Sequence, residues 1–254
     1  MARIYHLSSH VLLFVLTKLV IPENVTSIGN RAFYECSGLT SIQMPFNLSV
    51  IGESAFAYCG GITTLDLPKT VNAIGGEAFL YCKGLSKLII PENVKQLCGR
   101  TFFRCTGLKS VILPEGLQSI GRDDFGGCNQ LTSLTIPSTV TSIYENAFTN
   151  CIALRSIKVK SKIKILPQGF ISSADYCHEV YLSSTIVDIR GNALPEGLRE
   201  LYCFSTIPPA LYPNNVRLGC KIYVPKEAVE SYKAADKWKE FAEYIYAIPD
   251  GITE

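Results

Sequence analysis

The sequence predicts an α/β repeat fold. It reads as a solenoid of 23-residue units with a parallel β-sheet on one face, short helical or 3₁₀ turns on the other, and a C-terminal cap. Two observations predict it. Pro22, Pro45, Pro68, Pro91, Pro114 and Pro137 are spaced by 23 residues without exception. Each is followed at fixed offsets by an aliphatic residue, a phenylalanine, a cysteine and two more aliphatic residues, and such self-similarity marks a repeat architecture.

The aliphatic column is Ile28, Ile51, Ile74, Leu97, Ile120 and Ile143. Glycine follows it at Gly29, Gly52, Gly75 and Gly121, with Cys98 and Tyr144 standing in its place in two units. Next come Phe33, Phe56, Phe79, Phe102, Phe125 and Phe148, then Cys36, Cys59, Cys82, Cys105, Cys128 and Cys151. Leu39, Ile62, Leu85, Leu108, Leu131 and Leu154 precede the last column, Ile42, Leu65, Leu88, Val111, Leu134 and Ile157. The unit is I-P-x-x-V-x-x-I-G-x-x-A-F-x-x-C-x-x-L-x-x-L, a leucine-rich repeat.

One unit cannot bury its own apolar residues, but stacking joins each column into a continuous core. The L-x-x-L-x-I stretch is a short strand, with Leu39, Ile42 and Met44 inward in the first full unit. It pairs in parallel with its neighbours about 4.8 Å away. Proline ends each strand because it cannot donate to the ladder. The I-G-x-x-A-F-x-x-C stretch returns the chain by a short helix or 3₁₀ turn, its glycine supplying an unusual backbone angle or close packing.

Ten cysteines raise the question of disulfides or zinc. Equivalent residues of stacked units point the same way, whereas a disulfide needs converging Cβ vectors. No C-x-x-C pair exists for zinc. The column therefore reads as free thiols, each a small hydrophobe with a weak donor.

Residues 22–158 form the regular units, and residues 1–21 an N-terminal edge or degenerate repeat. Residues 159–220 are degenerate repeats, in which Leu166, Phe170 and Cys177 echo the pattern and strand-like segments fall at Glu179–Leu182 and Arg199–Cys203. Residues 221–254 form a cap. It opens on a strand at Lys221–Val224 and continues as an amphipathic helix over Lys226–Lys237, with Ala228, Val229, Tyr232 and Ala235 on one face. Trp238 then anchors the cap, since a solenoid must close its apolar end.

Composition excludes several classes. At 47% hydrophobic and 18% charged the chain is not disordered, and a net charge of +2 gives no reason to expect nucleic acid. No apolar run reaches the length of a membrane span. Met1-Ala2-Arg3 followed by Val11–Leu16 faintly resembles a signal peptide but lacks a small-x-small cleavage site. Leu16, Leu19 and Ile21 fall on repeat positions, so the segment reads as the edge of the solenoid.

The unit resembles the BspA-like leucine-rich-repeat family, whose L-x-x-I-x-I-P-x-x-V-x-x-I-G-x-x-A-F-x-x-C-x-x-L is matched here through Ile21–Ile42. Ile222-Tyr223-Val224-Pro225, Tyr232-Lys233 and Trp238-Lys239 are similar to that family's ending. The resemblance implies a surface or secreted protein, since family members look like such proteins of host-associated bacteria and some parasites. It also implies an adhesin-like module for extracellular-matrix proteins, plasma proteins or other bacteria. The family motif contains no catalytic residue and implies no cofactor.

The residues themselves add little chemistry. The histidines are His6, His10 and His178. His178 beside Cys177 invites a thiol nucleophile, but adjacent strand residues face opposite ways. No P-loop, nucleophile elbow, zincin or dinucleotide motif occurs. The sequons Asn24-Val25-Thr26 and Asn47-Leu48-Ser49 carry no meaning in a bacterial protein.

The strand faces are more informative. Most outward positions are Ser or Thr, which suit a soluble parallel stack. Ile89 and Ile112 are neighbouring exposed apolar residues that can seed a contact patch. Arg155, Lys158, Lys160, Lys162 and Lys164 form a basic run without an acid, and on a strand the four lysines share one face. A solvated edge that discourages aggregation accounts for the run; a basic site for an acidic protein or sulfated glycan is the functional alternative. The sequence thus predicts a non-catalytic protein- or glycan-binding module on or outside a bacterial cell. The alternative is a scaffolding repeat domain that binds an endogenous partner.

Overall fold

The computed structural model describes residues 2–4 and 16–254. His6, His10 and residues 11–15 of the apolar N-terminal stretch lie outside the described residues. Ala2–Ile4 pairs in parallel with Val25–Ile28.

The fold is a parallel β-solenoid of roughly 23-residue turns, and it is three-sided. The first side carries the L-x-x-L-x-I strands. Ser133–Ile136, Ser156–Val159, Glu179–Leu182, Glu200–Cys203, Lys221–Val224 and Ile245–Ala247 form one six-stranded parallel sheet. On the same side Lys18–Val20 pairs with Ser41–Gln43, and Lys87–Ile89 with Ser110–Ile112. The spacing drift after Ile157 has a simple form: 21 residues separate Val180 from Leu201 and Leu201 from Ile222, yet all three are register partners. The two missing residues are taken from connections, because a strand that slipped by one residue would turn its apolar side chains to water.

The second side is a further parallel ladder, built from the V-x-x-I stretch. Val25–Ile28, Val50–Ile51 and Ala73–Ile74 pair in succession, as do Ile165–Leu166, Asp188–Ile189 and Ala210–Leu211.

The third side holds the A-F-x-x-C stretch, and here the expected helical or 3₁₀ turn is replaced by another device. Alternate amides bond in different directions. Those of Ser54, Phe56 and Tyr58 donate to Gly76, Ala78 and Leu80 of the next unit at 3.0, 2.8 and 2.7 Å, while those of Ala55, Ala57 and Cys59 close tight turns within their own unit. A helix would spend every amide on its own chain. The alternation requires a left-handed residue at regular points, seen at Ser54 and Tyr58 (φ 52° and 64°) and at Glu77 and Tyr81 (φ 57° and 58°). Neither pair is glycine. The glycine that recurs at 29, 52, 75 and 121 serves close packing instead: a Cβ on Gly75 would lie 2.5 Å from the Glu53 amide nitrogen.

The core runs the length of the solenoid. Phe33, Phe56, Phe79, Phe102, Phe125 and Phe148 stack with centroids 5.2–5.5 Å apart, and Phe170 ends the column edge-on. All ten cysteines are free and all but Cys98 are buried. Cys82, Cys105, Cys128 and Cys151 each donate Sγ–H to the carbonyl of Phe56, Phe79, Phe102 and Phe125 respectively, at 3.2–3.4 Å.

The expected helix over Lys226–Lys237 is shorter than its pattern. A 3₁₀ turn at Lys226–Ala228 leads into an α-helix at Val229–Ala234, and a second 3₁₀ turn spans Lys239–Tyr244. Ala235 is extended and Lys237 left-handed (φ 63°). The break lets Trp238 turn into the core, where it is fully buried and donates Nε1–H to Pro209 O at 2.7 Å. Tyr232 packs edge-on against it and donates to Ser205 O at 3.0 Å.

Candidate functional site

The outward residues of the six-stranded sheet are placed by strand pairing. Thr135, Lys158, Tyr181 and Tyr202 are successive register partners, followed by Tyr223 and Tyr246. Parallel pairing brings the rings face to face. Tyr181 and Tyr202 stack at 4.4 Å and 5°, Tyr202 and Tyr223 at 4.7 Å and 16°, and Tyr246 tilts by 40° at 6.0 Å. Lys158 Nζ caps the free face of Tyr181, 4.9 Å from its centroid, a favourable cation–ring contact.

Two carboxylates stand in register beside this column. Glu179 pairs with Glu200, and Glu200 with Lys221. The Tyr181 hydroxyl donates to Glu179 at 3.1 Å and the Tyr202 hydroxyl to Glu200 at 2.9 Å. Burial pushes both phenols above their ordinary range, and the neighbouring glutamate adds to it, first through its charge at Tyr181 and first through the hydrogen bond it accepts at Tyr202. They remain neutral donors at physiological pH.

Cations border the face. Arg155 and Arg199 stand exposed at the strand starts, Lys221 on the face and Lys160 at the end of Ser156–Val159. Among the described residues none of these four has an ion-pair partner. Between the two arginines, His178 places Nδ1 3.0 Å from Gly197 O.

This geometry divides the basic run. The strand ends at Val159, so Lys158, Lys160, Lys162 and Lys164 do not share one strand face. The chain turns the corner of the solenoid after Lys160. Lys162 and Lys164 then line a separate groove of about 520 Å³ with Tyr144 and Ile165 on the second side. Arg155 and Lys158 stay with the tyrosines. Ile89 and Ile112 are register partners, each about half exposed. Ile89 also lines a groove of about 390 Å³ with Leu67, Lys87 and Pro91. That groove opens where the stretch 64–66 stays out of the sheet.

Cys177 and His178 do not form a reacting pair. Cys177 is buried, its thiol pushed up to about 12 by burial, while His178 turns to Gly197 O. Among the described residues no three His, Cys, Asp or Glu side chains group as metal ligands would, and no helix is long and apolar enough to cross a membrane.

The tyrosine column was open to sequence reading in one respect. E-V-Y-L, E-L-Y-C and K-I-Y-V each carry tyrosine at the third strand position. The signal is hidden by the 21-residue spacing of those units, which a search at a fixed period of 23 passes over.

Comparison with known proteins agrees with the fold. A leucine rich cell surface protein from Faecalibacterium prausnitzii is 24% identical, with 84% of this chain covering 70% of that one at a TM-score of 0.57. A leucine-rich repeat protein from Bacteroides ovatus is 21% identical over 92% of this chain and 84% of that one, at a TM-score of 0.48. The T. pallidum leucine rich repeat protein is 21% identical over 89% and 81%, at a TM-score of 0.46. Among curated proteins there is no match. The model of the BspA type leucine rich repeat region matches in six copies over residues 13–115 and 98–204, so this chain belongs to that family.

Proposed function

We propose that this chain is a non-catalytic binding module that works on or outside a bacterial cell and holds a protein or glycan on the outer face of its six-stranded sheet. The observation that carries the proposal is the register column Lys158–Tyr181–Tyr202–Tyr223–Tyr246. The repeat does not require it: the same position holds Gln43, Asp66, Ile89, Ile112 and Thr135 in earlier units. Stacked tyrosines add sheet stability of about 0.5–1.5 kcal/mol per pair. They also give a rigid, amphipathic surface of the kind found at interface centres. The external location is supported by family membership and by the cell surface description of the F. prausnitzii protein.

The free thiols do not argue against an oxidising surrounding. Nine of the ten cysteines are buried, and oxidation needs an accessible thiolate.

The test is to probe the purified protein against arrayed matrix proteins, plasma proteins and glycans beside a Tyr181→Ala/Tyr223→Ala variant. A saturable partner is expected, lost in the variant while its melting transition persists. A partner held equally by both proteins sinks the assignment of the face. Finding the protein only in the cytosol of its source cell sinks the external location.

A further inference from the structure

We infer that the ligand of this face is a sulfated glycan chain; the inference rests on the sheet-face reading above. Two chemical demands meet on the face. Arg155, Lys158, Lys160, Arg199 and Lys221 surround it, and none is neutralised by an ion pair among the described residues. Cations in that number ask for an anionic ligand, and guanidinium groups match the oxygen pairs of sulfate.

The centre of the face asks for something different. Glu179 and Glu200 lie side by side in register, each holding one tyrosine hydroxyl. An ionised carboxylate accepts about four hydrogen bonds, so most of that capacity is open to a ligand. The ligand must therefore donate hydrogen bonds at its centre and present anions at its margins.

A sulfated sugar chain does both, with ring hydroxyls over Glu179 and Glu200 and sulfates on Arg155, Arg199 and Lys221. An acidic peptide meets the rim but brings its carboxylates against the two glutamates, where like charges repel. A neutral glycan meets the centre and leaves the rim without counter-ions. Arg155 and Arg199 stand two strands apart, about 10 Å at the spacing of paired strands. That separation calls for repeated anions along a chain rather than one isolated group.

The test measures the affinity of the intact protein for size-fractionated heparin, for the same chains after complete desulfation, and for poly-glutamate. It uses the wild type, Arg155→Glu/Arg199→Glu and a control, Lys95→Glu, on the second side. Thermal melting of each confirms folding, and Arg155→Gln/Arg199→Gln serves if the charge reversal lowers solubility. Expected is saturable heparin binding, weakened tenfold or more by the double reversal, unchanged in Lys95→Glu, reduced by added salt and absent for desulfated chains. Heparin binding that ignores the double reversal, or equal binding of desulfated chains, overturns the inference. Poly-glutamate bound as tightly as heparin overturns it in favour of an acidic protein. Absence of heparin binding overturns it as well. In that case the face itself still stands if an arrayed partner is lost on removing Tyr181 and Tyr223, and falls with it if no partner depends on those tyrosines.

Discussion

The thiol of Cys82 donates to the carbonyl oxygen of Phe56 in the preceding unit at 3.2 Å, and the same carbonyl accepts the amide of Cys59 at 3.2 Å. Each Phe–Cys pair thus knots its own turn and then ties it to the next. This explains a cysteine column in place of alanine or valine: only a small side chain with a donor fills the space and completes the carbonyl. Cys105 makes the same contact with Phe79 O at 3.2 Å. Cys105→Ala leaves a small cavity and one open lone pair on an oxygen that keeps its amide partner. The expected loss is about 1–2 kcal/mol in urea unfolding; a variant as stable as wild type would refute the role of the thiol bond.

The thiols also set the alkaline limit of stability. Burial pushes Cys105, Cys151, Cys177 and Cys220 up to about 12, against about 8.5 for an unfolded cysteine. Between these values the unfolded chain has lost protons that the folded chain keeps. The stabilisation is complete below about pH 8.5 and declines as pH rises towards 12. The melting temperature of wild type is expected to fall through this range more steeply than that of Cys105→Ala/Cys151→Ala. Parallel slopes would remove the thiols from the account.

Phe79 is fully buried, with Phe56 at 5.5 Å on one side and Phe102 at 5.4 Å on the other. Phe79→Ala breaks the stack at its centre and leaves a cavity that rigid neighbours cannot close. The expected cost is about 3–5 kcal/mol, read as a large drop in melting temperature. An unchanged transition would contradict the core assignment.

Asp124 is a buried carboxylate in a column otherwise filled by Ala32, Ala55, Ala78, Thr101 and Ala147. One oxygen accepts the amides of Gly99 and Thr101, both at 3.0 Å, and the other accepts the amide of Gly121. Asp124→Asn keeps the shape but sets an amide group against one of these donors. A loss of about 1–3 kcal/mol is expected, and chemical denaturation measures it directly. No loss would mean that a neutral acceptor serves equally well.

Much of this protein is legible along the chain. The 23-residue period, the buried columns and the unpaired thiols follow from it, because in a solenoid every unit meets a copy of itself and sequence spacing becomes spatial direction. The cap shows where that reasoning stops. The apolar face of residues 226–237 reads as one helix, yet the burial of Trp238 against Pro209 outweighs one more helical turn. The basic run shows it again: Lys158 to Lys164 alternate as a strand would, and the corner after Lys160 sends Lys162 and Lys164 to another side.

The repeat and its core can be read along the chain, since both are set by covalent spacing and by the need to bury apolar columns. The third side and the site depend instead on how the units meet in space. The left-handed turns at Ser54 and Tyr58 exist because the next unit offers its carbonyls. The tyrosine column exists because strand pairing restores the register that two 21-residue units had broken. Hydrogen bonds between units, absent from any single unit, fix both.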